Sequence, residues 1–219
     1  MTVRAVIFDR DGVLTDFDLV EATRFFAPRL PFSIWELSER WEAWGQRVGF
    51  PRSPAEEAVF FRGFWDSLCD ELQLEPAVRA DLHGFNYLSC IKPYPDARPA
   101  LEAARAAGLH IGVLSNFSLA SLEASLAATG LGDLIDVACA ATVIGVAKPA
   151  PEAYRIVAER LGVQPEECLF FDDEEMCVIG AREVGMTAYR VDRKRQAHDL
   201  AAGIVAGLGA VPQLIQTAG

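Results

Sequence analysis

Val3-Arg-Ala-Val-Ile-Phe-Asp9-Arg-Asp11-Gly-Val-Leu-Thr-Asp16 stands at the head of the chain, and the architecture follows from it. The β-branched apolar run Val3–Phe8 predicts a strand buried on both faces. It stops at Asp9, where Asp-Arg-Asp-Gly is turn chemistry. Taken alone, the stretch fits an ordinary strand-to-loop exit whose carboxylates cap backbone amides. In an open α/β sheet, however, ligands bind just beyond the carboxyl ends of the strands. Two carboxylates one residue apart can do chemistry there.

Working outward, the same kind of exit recurs. A strand over His110–Leu114 stops at Ser115-Asn116, and one over Cys168–Phe171 stops at Asp172-Asp173, with Lys148-Pro149 in a loop between them. Helices are expected over Pro99–Ala107, Leu119–Ala128, Pro151–Leu161 and Glu175–Val184, each followed by a glycine suited to a helix C-terminus. Further strands are expected over Ile135–Cys139 and Thr187–Val191, and a last helix over Val211–Thr217. Strands alternating with helices predict an α/β fold, a doubly wound parallel sheet. In such a sheet the polar strand ends share one edge, so Asp9, Asp11, Ser115, Asn116, Asp172 and Asp173 converge there.

Residues 17–90 have a different character. Aromatic residues recur at helical spacing, broken at Pro31, Gly49-Phe50-Pro51 and Pro54. Ser33 with Glu36, and Ser53 with Glu56, read as capping boxes. With no strand pattern between them, these segments predict an α-helical domain, 17–90, inserted into a core made of 1–16 and 91–219.

With 51% hydrophobic residues the chain is globular, and its formal net charge of −11 argues against nucleic acid or an anionic membrane as partner. Five scattered cysteines without a Cys-x-x-Cys pair fit thiols in a cytoplasmic protein. No signal-peptide core and no membrane-spanning apolar run is expected. A monomer or homodimer is the expected state.

The joint occurrence of Asp9-Arg-Asp11-Gly-Val-Leu-Thr15-Asp16, Val113-Leu-Ser115-Asn116, Lys148-Pro149 and Phe170-Phe-Asp172-Asp173 resembles the haloacid dehalogenase-like hydrolases, in the branch with a helical cap after the first motif. The resemblance covers nearly the whole chain. The family's further acid after the fourth motif falls at Cys177, leaving Asp172 and Asp173 at the metal end. It implies an Mg²⁺-dependent phosphatase acting on a small phosphorylated metabolite. Asp9 would be the nucleophile and Asp11 the general acid and base. Ser115, Asn116 and Lys148 would hold the phosphoryl group. The metal would take Asp9, Asp172, Asp173 and the backbone carbonyl of Asp11.

Within the family, Asp11 favours phosphoryl transfer over dehalogenation, which needs no proton for its leaving group. The absence of lysine from 17–90 argues against Schiff-base phosphonate chemistry, and the distal place of His83 against a phosphoglucomutase-like enzyme. A non-catalytic binding protein is the rival from another class. In the cap, one or two of Phe17, Phe25 and Trp44 are expected to meet the substrate's organic part, the other aromatics being core. Arg24, Arg47 and Arg62 are candidates for a second anionic group. Arg10 is expected to pair at the surface, Asp16 to brace the turn, and Cys168 and Cys177 to be core. Neither His110 nor His198 has a triad partner.

Overall fold

The computed structural model describes residues 2–218. Strand β1 (Ala5–Phe8) lies at the centre of a six-stranded parallel sheet. On one side stand β4 (His110–Ser115) and β5 (Val137–Ala140); on the other, β6 (Cys168–Asp172), β7 (Thr187–Val191) and β8 (Ile204–Val205). The order β5-β4-β1-β6-β7-β8 reverses direction at β1. A crevice therefore opens beyond its carboxyl end, between β4 and β6.

All four residues of β1 are fully buried. Val6 and Phe8 face one apolar layer, with α5 (Ala97–Ala106), α6 (Leu122–Ala128) and α10 (Val211–Ala218). Ala5 and Ile7 face the other, with α8 (Pro151–Arg160) and α9 (Glu175–Glu183). A strand enclosed on both sides cannot alternate with polar residues, which is why it reads as a continuous apolar run. In register, Phe8 lies level with Val113 of β4 and Phe171 of β6. Asp9, the next residue, emerges beside the ends of both neighbours.

Helices α1 (Leu19–Phe26), α2 (Ile34–Val48), α3 (Pro54–Glu71) and α4 (Pro76–His83) make the helical lobe. Their inner faces bury Phe26, Leu37, Phe64, Trp65, Leu68 and Leu82 in an apolar cluster of their own. Ser33 and Ser53 cap α2 and α3 as expected, accepting from the amides of Glu36 and Glu56. The expected boxes are only half present: Glu56 accepts from the Arg52 amide and Glu36 pairs with Arg40.

Two short strands escaped the sequence reading. β2 (Thr15–Phe17) and β3 (Ile91–Pro93) pair antiparallel and carry the chain into and out of the lobe. Three residues are too few to show a period of two. The short helix α7 (Ala141–Ile144) and strand β8 were missed for the same reason. Several ends moved inward: β1 begins at Ala5 rather than Val3, β5 at Val137 rather than Ile135, and α6 at Leu122 rather than Leu119. No described helix is long and apolar enough to cross a membrane.

Candidate active site

The crevice beyond β1 holds a buried charge cluster. Asp9 continues the ladder for one residue, its amide donating to the Phe171 carbonyl at 2.8 Å. Lys148, its side chain 2% exposed, places Nζ 2.9 Å from Asp9 Oδ1 and 2.6 Å from Asp172 Oδ2. Asp172 ends β6, and its other oxygen accepts from the Glu174 amide at 2.9 Å. Asp9 Oδ1 lies off the direction of a true hydrogen bond, so this buried oxygen has charge attraction but no bonded partner. Such an oxygen invites a cation.

Carboxylate oxygens of Asp9, Asp172 and Asp173 lie within 4.8 Å of one another, a donor set suited to a hard divalent ion. Gly12 makes this approach feasible. Its φ of +72° belongs to the left-handed region, and a Cβ there would stand 2.5 Å from Asp173 Oδ2. Burial, opposed by Lys148 and reinforced by Asp172, pushes the Asp9 carboxyl up to about 6. Burial and the charge of Asp9 push Asp173 up to about 6 as well. Asp172 shifts upward too, burial outweighing the pull of Lys148. Burial pulls the Lys148 ammonium down, but Asp9 and Asp172 together more than offset it and hold its pKa above the ordinary lysine value. The lysine therefore stays charged at any physiological pH.

Ser115 is buried at the end of β4, one step past the level of Asp9. Asn116, expected to hold phosphate, has another job. Its carboxamide donates to the Lys148 carbonyl at 2.9 Å and accepts from the Lys148 amide at 2.8 Å. It clamps the loop that delivers the lysine. Cys177 is a buried thiol, as expected; burial pushes its pKa well above the ordinary value, so it offers no thiolate to a metal.

Arg10 departs most from expectation. It is 5% exposed, not at the surface, and its guanidinium lies 3.8 Å over the Phe117 ring. It donates to Ser125 Oγ at 3.2 Å and grips the carboxylate of Asp11, with Nη2 2.6 Å from Oδ2. The Asp11 side chain, half-exposed, thus points to Arg10 rather than joining the three-carboxylate group. Asp16 does not brace the turn: it is exposed and accepts from its neighbour's amide, Phe17 N, at 2.9 Å. Arg193 does so instead. It donates to the carbonyls of Gly12 and Val13, pairs with Asp96 and stacks on Tyr94.

The lobe is tied to this site by Glu57 of α3. That buried carboxylate accepts from the Ser121 amide at 2.9 Å and the Ser121 hydroxyl at 2.6 Å, at the start of α6. Tyr87 bonds the same hydroxyl and touches both Phe61 of α3 and Phe117 beneath Arg10. Neither Arg193 nor Glu57 sits in a motif, and no local signal marks either one. Of the lobe candidates, Arg24 pairs with Glu21, Arg47 stacks on Trp44 and Arg62 is exposed.

Comparison with known proteins bears on the chemistry. Residues 3–185 match the family model described as haloacid dehalogenase-like hydrolase. The chain is 41% identical to "Phosphatase MT3486" of Mycobacterium tuberculosis (strain CDC 1551 / Oshkosh), over the full length of both. It is 32% identical to an (S)-2-haloacid dehalogenase of Xanthobacter autotrophicus, covering 94% of this chain and 83% of that one. Among solved structures, a HAD phosphatase from Thermococcus onnurineus superposes with a TM-score of 0.66 at 26% identity, covering 97% of this chain and 98% of that one.

Proposed function

The chain belongs to the haloacid dehalogenase-like hydrolases, and from that premise we propose that it is an Mg²⁺-dependent phosphatase hydrolysing a small phosphate monoester. The observation that carries this reading is the buried trio Asp9–Lys148–Asp172 with Asp173 at its rim and a second acid, Asp11, two residues from the nucleophile. Expelling halide from carbon requires neither a proton donor nor a site for a divalent cation. Cleaving an unactivated phosphate ester calls for both.

The orphaned Asp9 oxygen and the clustered carboxylates of Asp9, Asp172 and Asp173 fit a hard divalent ion such as Mg²⁺, which they would hold. Bound there, it would neutralise phosphoryl charge. The protein's own groups do the rest. Asp9, with its carboxyl pushed up to about 6, is largely ionised at neutral pH and attacks phosphorus in line. The ester P–O bond breaks, and Asp11 gives its proton to the departing alkoxide. To do so its carboxyl first leaves Arg10, which Phe117 and Ser125 hold in place, and takes up a proton from water before the ester is cleaved. Water then attacks phosphorus, Asp11 takes its proton, and the P–O bond to Asp9 breaks to free phosphate. Lys148 and Ser115 balance and hold the phosphoryl oxygens, while Asn116 positions Lys148.

Five buried, free cysteines suit a reducing compartment, so we place the protein in the cytoplasm, as a monomer or homodimer that binds neither nucleic acid nor membrane. The test is phosphate release from phenyl phosphate with and without Mg²⁺, for wild type and Asp9→Asn. Metal-dependent turnover lost in the variant is expected. Halide release from 2-chloropropionate without phosphate release would overturn the reading.

A further inference from the structure

Between the lobe and the segments that leave the catalytic loops lies an open cavity of about 480 Å³ that the chemistry above leaves unused. Its lining joins both bodies of the protein. Phe17 of β2 and Leu119, four residues beyond Ser115, come from segments that lead directly out of the catalytic loops, and Tyr87 shares a contact with Phe117 beneath Arg10. The lobe's share of the lining is rich in aromatic residues, Trp35, Trp41 and Trp65 among them. Phe17, Leu19 and Trp35 are exposed at this lining, an apolar opening that water alone would disfavour.

Charge narrows the occupant. Among the described residues no lysine, arginine or histidine lines the cavity, and the single charged residue there is Asp16. A second phosphate or a carboxylate would enter a site with no counter-ion and one like charge. A polyhydroxylated sugar would find few polar partners beyond the Asp16 carboxylate and the Ser38 and Tyr87 hydroxyls, and its remaining hydroxyls would face apolar side chains. The earlier candidates for a second anionic group, Arg24, Arg47 and Arg62, do not line it.

We propose that this cavity takes the organic part of the substrate, and that the physiological substrate is a phosphate monoester of an uncharged, apolar alcohol of aromatic size. The proposal rests on the phosphatase reading for the phosphate end only; the cavity's preference is separate from it. Three of the four tryptophans line the cavity, so its occupancy is read without turnover.

Two primary alkyl phosphates, 2-phenylethyl phosphate and glycerol 1-phosphate, have comparable leaving groups and differ in their organic part. The expected kcat/KM ratio favours the phenylethyl ester by at least a hundredfold, carried mainly by KM. Phe17→Gln should lower that ratio about tenfold. The uncleavable 3-phenylpropylphosphonate should quench tryptophan fluorescence at concentrations at which glycerol-based phosphonate does not. Equal kcat/KM values for the two esters overturn the proposal and leave the phosphatase reading intact. Quenching by the phenyl phosphonate with no turnover of any ester keeps the cavity assignment and overturns the phosphatase reading. A dimer dissociated by Trp35→Glu, with no quenching in either form, would make the face a contact between two copies and overturn the proposal.

Discussion

Replacing Lys148 by methionine removes the cation from a cluster that is largely closed to solvent. Its ammonium lies 2.9 Å from Asp9 and 2.6 Å from Asp172, and the three side chains are 2%, 10% and 0% exposed. Breaking such a pair from one side leaves uncompensated charge, a cost of about 3–5 kcal/mol at neutral pH. The cost has a defined pH dependence. Even with Lys148 present, the Asp9 carboxyl titrates at about 6, above its ordinary 3.8, and Asp172 is shifted in the same direction. An acid whose folded pKa is raised gives stability that is full below the unfolded pKa and is lost as pH rises through the folded one. Without the lysine both pKa values climb further, so the variant's deficit is small near pH 4.5 and much larger at pH 8. The check is urea unfolding in EDTA at both pH values. Far-UV circular dichroism is the suitable probe because all four tryptophans lie in the lobe, far from this change in sequence. Adding Asp172→Asn to Lys148→Met removes one stranded charge and should recover part of the loss at pH 8. A deficit below about 1 kcal/mol at pH 8, against the 3–5 expected for a buried pair, would refute the reasoning. So would one equal at both pH values.

Other expectations follow from the same geometry. Gly12→Ala meets a left-handed φ and the Asp173 carboxylate together, so Mg²⁺ affinity measured calorimetrically should fall at least tenfold, a loss of about 1.4 kcal/mol; unchanged affinity would remove Asp173 from the metal site. Asp11→Asn should cost about 10²–10⁴-fold on alkyl phosphates and much less on 4-nitrophenyl phosphate, whose leaving group needs no proton. Equal losses would deny Asp11 the role of acid. Glu57→Ala should destabilise by about 1.5–3 kcal/mol, the worth of hydrogen bonds to a charged group, and speed amide exchange at Ser121. Exchange at the wild-type rate would mean that Glu57 does not tie the lobe to the core.

The chain's local pattern was enough to determine five of the sheet's six strands, their polar carboxyl ends and the helical insertion. β1 is apolar on every position because both its faces are enclosed, and the polar residues begin at the carboxyl ends of β1, β4 and β6, at Asp9, Ser115 and Asp172. A serine cap fixes a helix start through a contact three residues away, so Ser33 and Ser53 act within the reach of a sequence reading. The identity of Lys148 was legible for a related reason: it is one of only three lysines, and it falls in the loop before the last acidic strand end.

What tertiary structure alone decided lies in side-chain partners far apart along the chain. Arg10 is drawn inward by Phe117 and by Ser125, 115 residues away, and so takes hold of Asp11 instead of solvent. Arg193 reaches the Gly12 carbonyl across 181 residues and does the bracing assigned to Asp16. Asn116 looks like a phosphate ligand until the Lys148 backbone, 32 residues on, claims both ends of its amide. A strand or helix leaves its period in the sequence because its contacts repeat every two to four residues. A single long-range hydrogen bond repeats nowhere, and only the folded chain shows which donor meets which acceptor.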